Sequence, residues 1–551
     1  MNHSRNTSKI FGLLLSVTFL GVIVRYFPLI GTEFPIGFDA GAYYSRGMWY
    51  EKCWPALPED ISYYAEADEV LEPTPLLSWL TAAWIKVNRC FGVNSFQATK
   101  VFPLLVYILI SLSLFLLSKE ITNDDYVAVL SVLFFSFSKY DLIYTYTGFV
   151  GRTYFSIFVI NMFFLFCIKA IKSVKNIEKW RHLSKSRDYI KNGLMASLSF
   201  IILFLVQLDQ APFVLTILVI SFFITSIIKS RRIERDISAG LIIPYLVGIT
   251  SSIPIFYWKK EFIFGRLQRF LSTSGIKIET SFIEKFGRPL LLLSFITIIF
   301  FILGISFATK ELKQSRKDYG SILIVSWSSI LVFLTMFSLY VGNVLLSAHR
   351  YLAFGVIPIS ILASIGFWRT KDIFQRRFMK NILLPIPKIF LTAVFVSYLF
   401  ASSLIAVKFP THSRSFFDER YTDGMNWIRE EINSDSIIFC YTRSPWHLSE
   451  FIPGVTGRQI ITKKHQVPSG NYSKEGELNL KTETILQAMD IDRIKDILKE
   501  YPDSYLVIGN NVKLLNDAGI SLSRLDDLFS RKFADDYMII YRLELNVTDI
   551  S

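Results

Sequence analysis

The stretch Gly37-Phe38-Asp39-Ala40-Gly41-Ala42-Tyr43-Tyr44 follows directly on the first long apolar segment of the chain. It opens a long loop that is rich in acidic and aromatic side chains. A carboxylate at the edge of a bilayer is costly unless it faces water, a partner or a substrate. Asp39 is therefore either a functional acid at that edge or the cap of a short helix that begins after it.

The composition of the chain fixes its class. Of its 551 residues, 52% are hydrophobic and 15% are aromatic, and the mean hydropathy is +0.39. A chain this apolar does not form a single soluble core, whereas about 20 apolar residues in a row are enough to cross a bilayer. The sequence predicts a polytopic α-helical membrane protein.

Apolar windows of that length predict about eleven transmembrane helices. Their approximate ranges are 10–30, 96–118, 125–139, 154–171, 192–208, 212–228, 237–257, 289–308, 320–341, 350–368 and 383–407. Because Arg5 and Lys9 precede an apolar run, a cleaved signal peptide is the alternative for the first of them. The length of the run and the lack of a small-residue cleavage site after it favour an uncleaved membrane anchor.

The net charge of +13 is concentrated in alternate loops. Four of these loops, at 169–191, 229–235, 310–317 and 369–380, are rich in lysine and arginine, which is typical of cytoplasmic loops. The positive charge therefore indicates the membrane topology, and the basic loops should also attract anionic membrane lipids weakly. It does not indicate a nucleic-acid partner. We expect an integral protein of the plasma membrane with a cytoplasmic N terminus, although the basic loop at 258–288 breaks the pattern.

After Lys408 the composition becomes that of a soluble domain. Helices are predicted at 423–432 and 484–501, and strands at 436–441, 504–509 and 537–543. This alternation predicts an extracytoplasmic α/β domain at 408–551. Residues 1–407 form the transmembrane domain, with 31–95 as its first outer loop and 76–91 as an interfacial helix carrying Trp79 and Trp84.

Several kinds of site are missing from the sequence. The four cysteines and six histidines show no zinc-site spacing, and only Cys53 and Cys90 share a compartment in which a disulfide could form. There is no phosphate-binding loop, dinucleotide fingerprint or nucleophile elbow. The chain therefore has no evident means of using a nucleotide directly.

Two further outer segments carry polar side chains. The segment 139–152 is rich in glycine and tyrosine and contains Asp141 and Arg152; its tyrosines suit an interfacial belt or a sugar site. His349 and Arg350 stand at the entrance of the tenth predicted span. The arginine either snorkels to the interface or donates to a phosphate there.

Together these features resemble the GT-C superfamily of integral-membrane glycosyltransferases, across nearly the whole chain. They are the Asp39 loop with its paired tyrosines, the juxtamembrane helix after Pro73, the Asp141 loop, the late His349-Arg350 pair and the outer α/β domain. The resemblance is strongest to prokaryotic relatives of the protein O-mannosyltransferases and of the lipid A aminoarabinose transferases. It implies that a sugar on a polyprenyl phosphate is transferred, with inversion, to a glycan, lipid or protein acceptor on the outer face.

The resemblance also implies roles for particular residues. Asp39 would be the general base, Asp141 the second acid of the outer loops, and Arg350 a clamp on the departing phosphate. Further candidates are His349, Arg152 and Arg46 for the phosphate, and Tyr43, Tyr44, Tyr144 and Tyr146 for the substrate. No cofactor is required with a monophosphate carrier, and a divalent metal is expected only with a diphosphate.

Two positions depart from the pattern of the superfamily. Glu72 stands before the proline pair, where some relatives have a basic residue. The Trp-Trp-Asp motif of the oligosaccharyltransferases is missing, and Trp446-His447 occupies a comparable place without the acid. These departures favour transfer of a single sugar over block transfer of a glycan to asparagine.

A transporter or a flippase of lipid-linked glycans is the alternative, because Gln207, Asp209 and Gln210 are polar residues within the apolar region. The lack of a visible inverted repeat and the large outer domain argue against it. A scaffold or sensor would leave the loop acids unexplained.

Overall fold

The computed structural model of the chain describes fifteen stretches of it, which are residues 2–30, 40–56, 75–138, 154–175, 186–206, 214–221, 231–258, 295–315, 319–341, 348–378, 421–441, 448–462, 472–509, 515 and 519–545. Everything below concerns these residues.

Among the described residues up to 378, the regular structure is helical. The helices are α1 (Asn2–Tyr26), α2 (Ala40–Cys53), α3 (Pro75–Cys90), α4 (Ser95–Thr122), α5 (Asp125–Ser136), α6 (Phe155–Lys175), α7 (Arg187–Val206), α8 (Arg231–Trp258), α9 (Phe295–Ser315), α10 (Tyr319–Val341) and α11 (Ala348–Phe378). A single 3-10 turn, Phe27–Leu29, follows α1.

Five of the described helices contain segments long and apolar enough to cross a membrane, at Thr7–Tyr26, Ser95–Thr122, Phe155–Val174, Arg187–Val206 and Ser238–Ile255. Shorter apolar segments occur at Asp125–Ser136, Ile296–Lys310 and Tyr319–Phe333. These helices indicate an integral membrane protein. The number of about eleven spans stays a prediction, and the predicted span at 383–407 lies outside the described residues.

The chain divides into two compact units. The helical unit consists of residues 1–30, 103–260 and 268–413, and the sheet unit consists of residues 31–102, 261–267 and 414–551. Residues that follow the first span are thus grouped with the C-terminal residues. The boundaries drawn from composition, 1–407 and 408–551, stay a prediction.

Small residues bring the helices of the helical unit close together. A Cβ at Gly304 on α9 would overlap the carbonyl of Leu362 on α11, and a Cβ at Gly366 on α11 would overlap the carbonyl of Phe300 on α9. Close backbone approach of this kind is how helices associate in membranes, where burial of apolar surface gives little net drive. The backbones of the two helices therefore pack directly against each other at these glycines.

The sheet unit contains a mixed sheet of five strands in the order β2-β1-β3-β5-β4. The strands are β1 (Ile437–Tyr441), β2 (Gln459–Thr462), β3 (Ser504–Gly509), β4 (Phe529–Ala534) and β5 (Met538–Leu545). β1 is parallel to β2 and β3, whereas β5 is antiparallel to β3 and β4. The helices are α12 (Thr422–Glu431), α13 (Leu448–Thr456), α14 (Tyr472–Gln487), α15 (Ile491–Glu500) and α16 (Leu522–Leu528).

Most of the local predictions for this region are confirmed. The predicted helix at 423–432 is α12, and the strands at 436–441, 504–509 and 537–543 are β1, β3 and β5. The single helix predicted at 484–501 is wrong, because α14 ends at Gln487 and α15 begins at Ile491. Ala488 adopts a left-handed φ of 52°, and the Asp490 side chain caps α15 by accepting from the Arg493 N–H at 3.0 Å.

Alternate residues of the strands enter two separate cores, as the period of two in a strand requires. In β3, Tyr505 and Val507 face one core, while Leu506 and Ile508 face the other. The described members of the second core all lie between residues 437 and 545. The first core also contains Tyr44, and Met48, Trp49 and Phe96 pack against it. One face of the sheet is therefore covered in part by residues that are far away in sequence.

Candidate functional site

The structure describes some of the predicted site residues and not others. Asp39, Asp141, Tyr144, Tyr146 and Arg152 lie outside the described residues. Their roles stay predictions, and the structure contributes the elements that flank them in the chain.

Helix α2 begins at Ala40, directly after Asp39. Both interpretations of Asp39, as a helix cap and as a catalytic acid, stay predictions, because Asp39 itself lies outside the described residues. Three predicted site residues lie on α2: Tyr43 and Arg46 are half-buried, and Tyr44 is buried.

The ring of Tyr44 is enclosed by protein and only 2% exposed. It stacks on Phe96 with a centroid distance of 4.4 Å and lies 6.2 Å from the ring of Phe451. Its hydroxyl shares a hydrogen bond of 3.3 Å with the Ser95 hydroxyl, and burial raises the pKa of the phenol. This geometry gives Tyr44 a packing role, and its part in sugar binding stays a prediction.

Helix α3 holds the other side of α2. Arg89 donates from Nη1 to both carboxylate oxygens of Glu51 at 2.8 Å. Further along the pair, a Cβ at Gly47 would lie 2.8 Å from Thr81 Cγ2 and 3.1 Å from Ile85 Cδ1. The two helices therefore approach closely at Gly47, and the ion pair fixes their register near their C-terminal ends.

A buried arginine lies on the helix that precedes Asp39. Arg25, in the last turn of α1, is 0% exposed, and its guanidinium stacks 3.9 Å from the centre of the Tyr107 ring. It donates to the carbonyls of Gly21 at 3.1 Å and Ser136 at 2.9 Å. Ser136 ends α5, so the cation stands where the helix dipole is negative.

Ser136 also begins the connection that leads to Asp141. Its hydroxyl shares a hydrogen bond of 2.6 Å with the Tyr107 hydroxyl. Arg25, Tyr107 and Ser136 thus join α1, α4 and α5 at the point where α1 leads towards Asp39 and α5 leads towards Asp141. We call these three residues the Arg25 cluster.

His349 and Arg350 lie in the first turn of α11. Their side chains fall outside the part of the chain that the structure describes, so their contact with a phosphate stays a prediction. Among the described residues, no group of three histidine, cysteine, aspartate or glutamate side chains is placed to hold a metal ion. Cys53 and Cys90 are both free and exposed.

No family model and no curated protein matches the sequence. Solved structures do match its fold. The archaeal oligosaccharyltransferase AglB from Archaeoglobus fulgidus, in complex with an inhibitory peptide and a dolichol-phosphate, is similar with a TM-score of 0.66 and 12% identity, over 99% of this chain and 75% of that one. ArnT from Cupriavidus metallidurans in the apo state is similar with a TM-score of 0.61 and 10% identity, over 99% of each chain.

The chain has a GT-C fold. The match extends from end to end of the chain, and at this level of identity it shows the fold alone. An Archaeoglobus fulgidus oligosaccharyltransferase tethered to an acceptor peptide with the NVT sequon is also similar, with a TM-score of 0.64 and 11% identity over 98% of this chain and 75% of that one. The fold that the resemblance implies is confirmed.

Sequence reasoning missed the contacts of the helices that flank Asp39 and Asp141 in the chain. Arg25 resembles an ordinary charge at the end of a span, and only its position next to an otherwise apolar run could have singled it out. Ser45, which contacts Gly454 across 409 residues, carries no local signal at all. The contribution of Glu51 to an ion pair was also missed, since it was one of many acids in its loop.

Proposed function

We propose that the chain is a membrane glycosyltransferase that transfers a single sugar from a polyprenyl-phosphate donor to a hydroxyl or amine acceptor. The observation that carries the proposal is the GT-C fold, which extends over 99% of this chain and 99% of ArnT. The long outer loop rich in acids and the basic residues at span ends supply the groups that such a reaction needs.

In the proposed reaction, Asp39 is the general base. It takes the proton of the acceptor as the acceptor oxygen or nitrogen attacks the anomeric carbon. The bond between that carbon and the phosphate oxygen breaks, and the lipid phosphate departs with the electron pair. Attack from the side opposite to the phosphate inverts the configuration of the sugar. Asp141 is the second acid of the site.

Arg350 stabilises the departing phosphate in this proposal. A guanidinium offers two parallel N–H donors to two phosphate oxygens, and charge that develops in the transition state gains most from such fixed donors. His349, Arg46 and Arg152 are the further candidates for the phosphate. Tyr43, Tyr144 and Tyr146 are the aromatic candidates for the sugar, together with Tyr44 if its buried ring becomes accessible.

A lipid monophosphate is the preferred donor. AglB, a protein of the same fold, has been solved with a dolichol-phosphate, and a monophosphate carrier needs no metal to leave. If the donor is a diphosphate, a divalent metal joins the reaction. The acceptor is a glycan, a lipid or a protein, reached from the extracytoplasmic side of the plasma membrane, with the N terminus and the basic loops in the cytoplasm.

The direct test is to incubate the purified protein in lipid with a panel of radiolabelled polyprenyl-phosphate sugars. One donor should be consumed, and Asp39→Asn should reduce its transfer at least about a hundredfold while donor binding persists. Cys53→Ser, on the same helix and with an exposed free thiol, is the matched control and should keep transfer near the normal rate. Normal turnover by Asp39→Asn would return Asp39 to the role of helix cap.

The phosphate assignment has its own test. Arg350→Ala should weaken donor binding strongly, and Arg350→Lys should restore only part of it, because lysine keeps the charge and loses the two-pronged geometry. Acceptor affinity should hardly change. Equal donor affinity in all three proteins would exclude Arg350 and leave Arg46, Arg152 and the loop at 258–288 as the candidates.

A further inference from the structure

Helix α2 is built into the core of the sheet unit. Tyr44 belongs to the same buried cluster as Ile438, Val507 and Ile540 of strands β1, β3 and β5. Met48, one turn further along α2, packs against this cluster. The helix that follows Asp39 is therefore held by the C-terminal residues and not by its own loop alone.

Helix α2 approaches the C-terminal residues closely at Gly454 of helix α13. Its backbone N–H donates to the Ser45 hydroxyl at 3.0 Å. A Cβ at Gly454 would lie 2.6 Å from Ser45 Oγ, 2.8 Å from Ser45 Cα and 2.8 Å from Tyr44 Cδ1. Side chains do not tolerate such distances, so any residue other than glycine at this position must shift α2 relative to α13.

A displacement at Ser45 is transmitted to the beginning of α2. The helix is only 14 residues long, and the rise of 1.5 Å per residue places Ser45 about 8 Å along the axis from Ala40. A hydrogen-bonded helix moves as a stiff body over this distance. Because Asp39 directly precedes Ala40 in the chain, we expect the position of α2 to determine the position of the Asp39 backbone.

We propose that Ser45 and Gly454 form a positioning contact through which the C-terminal residues fix the place of Asp39. This proposal rests on the proposed function, in which Asp39 is the base. A misplacement of about 1 Å in a catalytic group is enough to cost about a hundredfold in rate. Neither Ser45 nor Gly454 needs to touch the substrate for the contact to matter.

Gly454→Ala tests the proposal in the full-length protein in lipid. It should lower kcat about tenfold to a hundredfold, with donor affinity largely kept because Arg350, the first candidate for the phosphate, lies on α11. The matched control is Gly457→Asn, three residues away. Gly457 has a φ of 74° and nothing within 4 Å of its added Cβ, and asparagine tolerates that conformation.

Ser45→Ala is the gentler variant, because it removes the hydroxyl and adds no atom. It should lower kcat by a smaller factor, about threefold to tenfold, and it keeps the test valid if Gly454→Ala folds poorly. Normal kcat in both variants, with Asp39→Asn inactive, would overturn the positioning role and leave the base assignment intact.

A double-mutant cycle separates positioning from mere destabilisation. If Gly454→Ala acts through Asp39, it should cause no further loss of kcat in an Asp39→Asn background. Equal losses in the two backgrounds would show that the contact only stabilises the fold and would overturn the proposal. If Asp39→Asn alone turns over normally, the base assignment fails and the positioning role fails with it.

Discussion

Arg25 and Tyr44 lie on the two helices that flank the Asp39 segment, and different forces hold them. Arg25 is a buried cation that donates to the carbonyls of Gly21 and Ser136 and stacks on Tyr107. Tyr44 is a ring in an apolar core, stacked on Phe96 and close to Phe451. The first contact is polar within apolar helices, and the second is apolar within a unit that contains a sheet.

Arg25 and Tyr44 are stabilised by different interactions because the helical unit and the sheet unit surround them with different groups. Within an apolar helical bundle, a polar group that loses its protein partner cannot form a hydrogen bond with water instead. The loss of a hydrogen bond between protein groups is therefore costly there. In the sheet unit, burial of apolar surface is the main driving force. The Arg25 cluster should therefore be sensitive to lost hydrogen bonds, and the Tyr44 side to lost volume.

The largest effect is expected for Arg25→Leu. The free energy of unfolding in detergent should fall by about 3 kcal/mol, the upper end of the cost of leaving buried carbonyl oxygens without their donor. Arg89→Leu is the matched control, since its side chain is 44% exposed and a surface ion pair contributes at most about 1 kcal/mol. Equal losses in the two variants would contradict the comparison.

Gly21→Ala should have the next largest effect. A Cβ at Gly21 would overlap the hydroxyl of Tyr107, so the ring must move away from Arg25 and Ser136. Overpacking of this kind costs about 1–3 kcal/mol in unfolding free energy. Gly12→Ala, on the same helix with nothing within 4 Å, should leave stability unchanged or raise it. A similar loss in Gly12→Ala would point to a general effect of alanine in α1.

Tyr44→Phe should have a smaller effect than either change in the helical unit. It keeps the ring on Phe96 and removes only the hydrogen bond with Ser95, for a loss of about 0.5–1.5 kcal/mol. Hydrogen exchange of the α2 amides measures this loss locally. Tyr126→Phe serves as control, since Tyr126 is 39% exposed on α5, and it should leave the α2 amides as they are.

The smallest effect at neutral pH comes from ionisation of Tyr44. Burial raises the pKa of its phenol above the ordinary 10.0, so the neutral form is favoured by folding. Its contribution to stability is complete below pH 10 and is lost as the pH rises through the higher folded value. Wild type should be more stable than Tyr44→Phe at neutral pH, and this difference in unfolding free energy should disappear above the folded pKa. A difference that grows as the pH rises would contradict the direction of the pKa shift.

The sequence is informative wherever the pattern is local. Runs such as Ser504–Gly509 predicted β3 with its observed boundaries, because a short apolar run rich in β-branched and aromatic residues is typical of a buried strand. Strand β2 was missed because Gln459–Thr462 is only four residues long. Strand β4 was missed because three of the six residues in FSRKFA are polar, as suits the edge of the sheet.

The contacts around the candidate site are less accessible to sequence reasoning. Nothing near Ala488 announces its left-handed backbone, which separates α14 from α15. Nothing near Tyr44 announces that its ring completes the core of a sheet formed by residues 437–545. Such pairings depend on which distant surfaces meet in the folded chain. The motifs around Asp39 and Arg350 could be identified from their chemistry, whereas the residues that hold α2 could not.

The contact between Ser45 and Gly454 can form only late in biosynthesis. The two residues are 409 positions apart, so a ribosome that adds roughly 5–20 residues per second makes the second roughly 20–80 seconds after the first. During that interval Tyr44, Met48 and Trp49 have no strand to cover them. Nascent chains that stop before helix α13 keep this apolar surface open, and we expect quality-control proteases to recognise them by it.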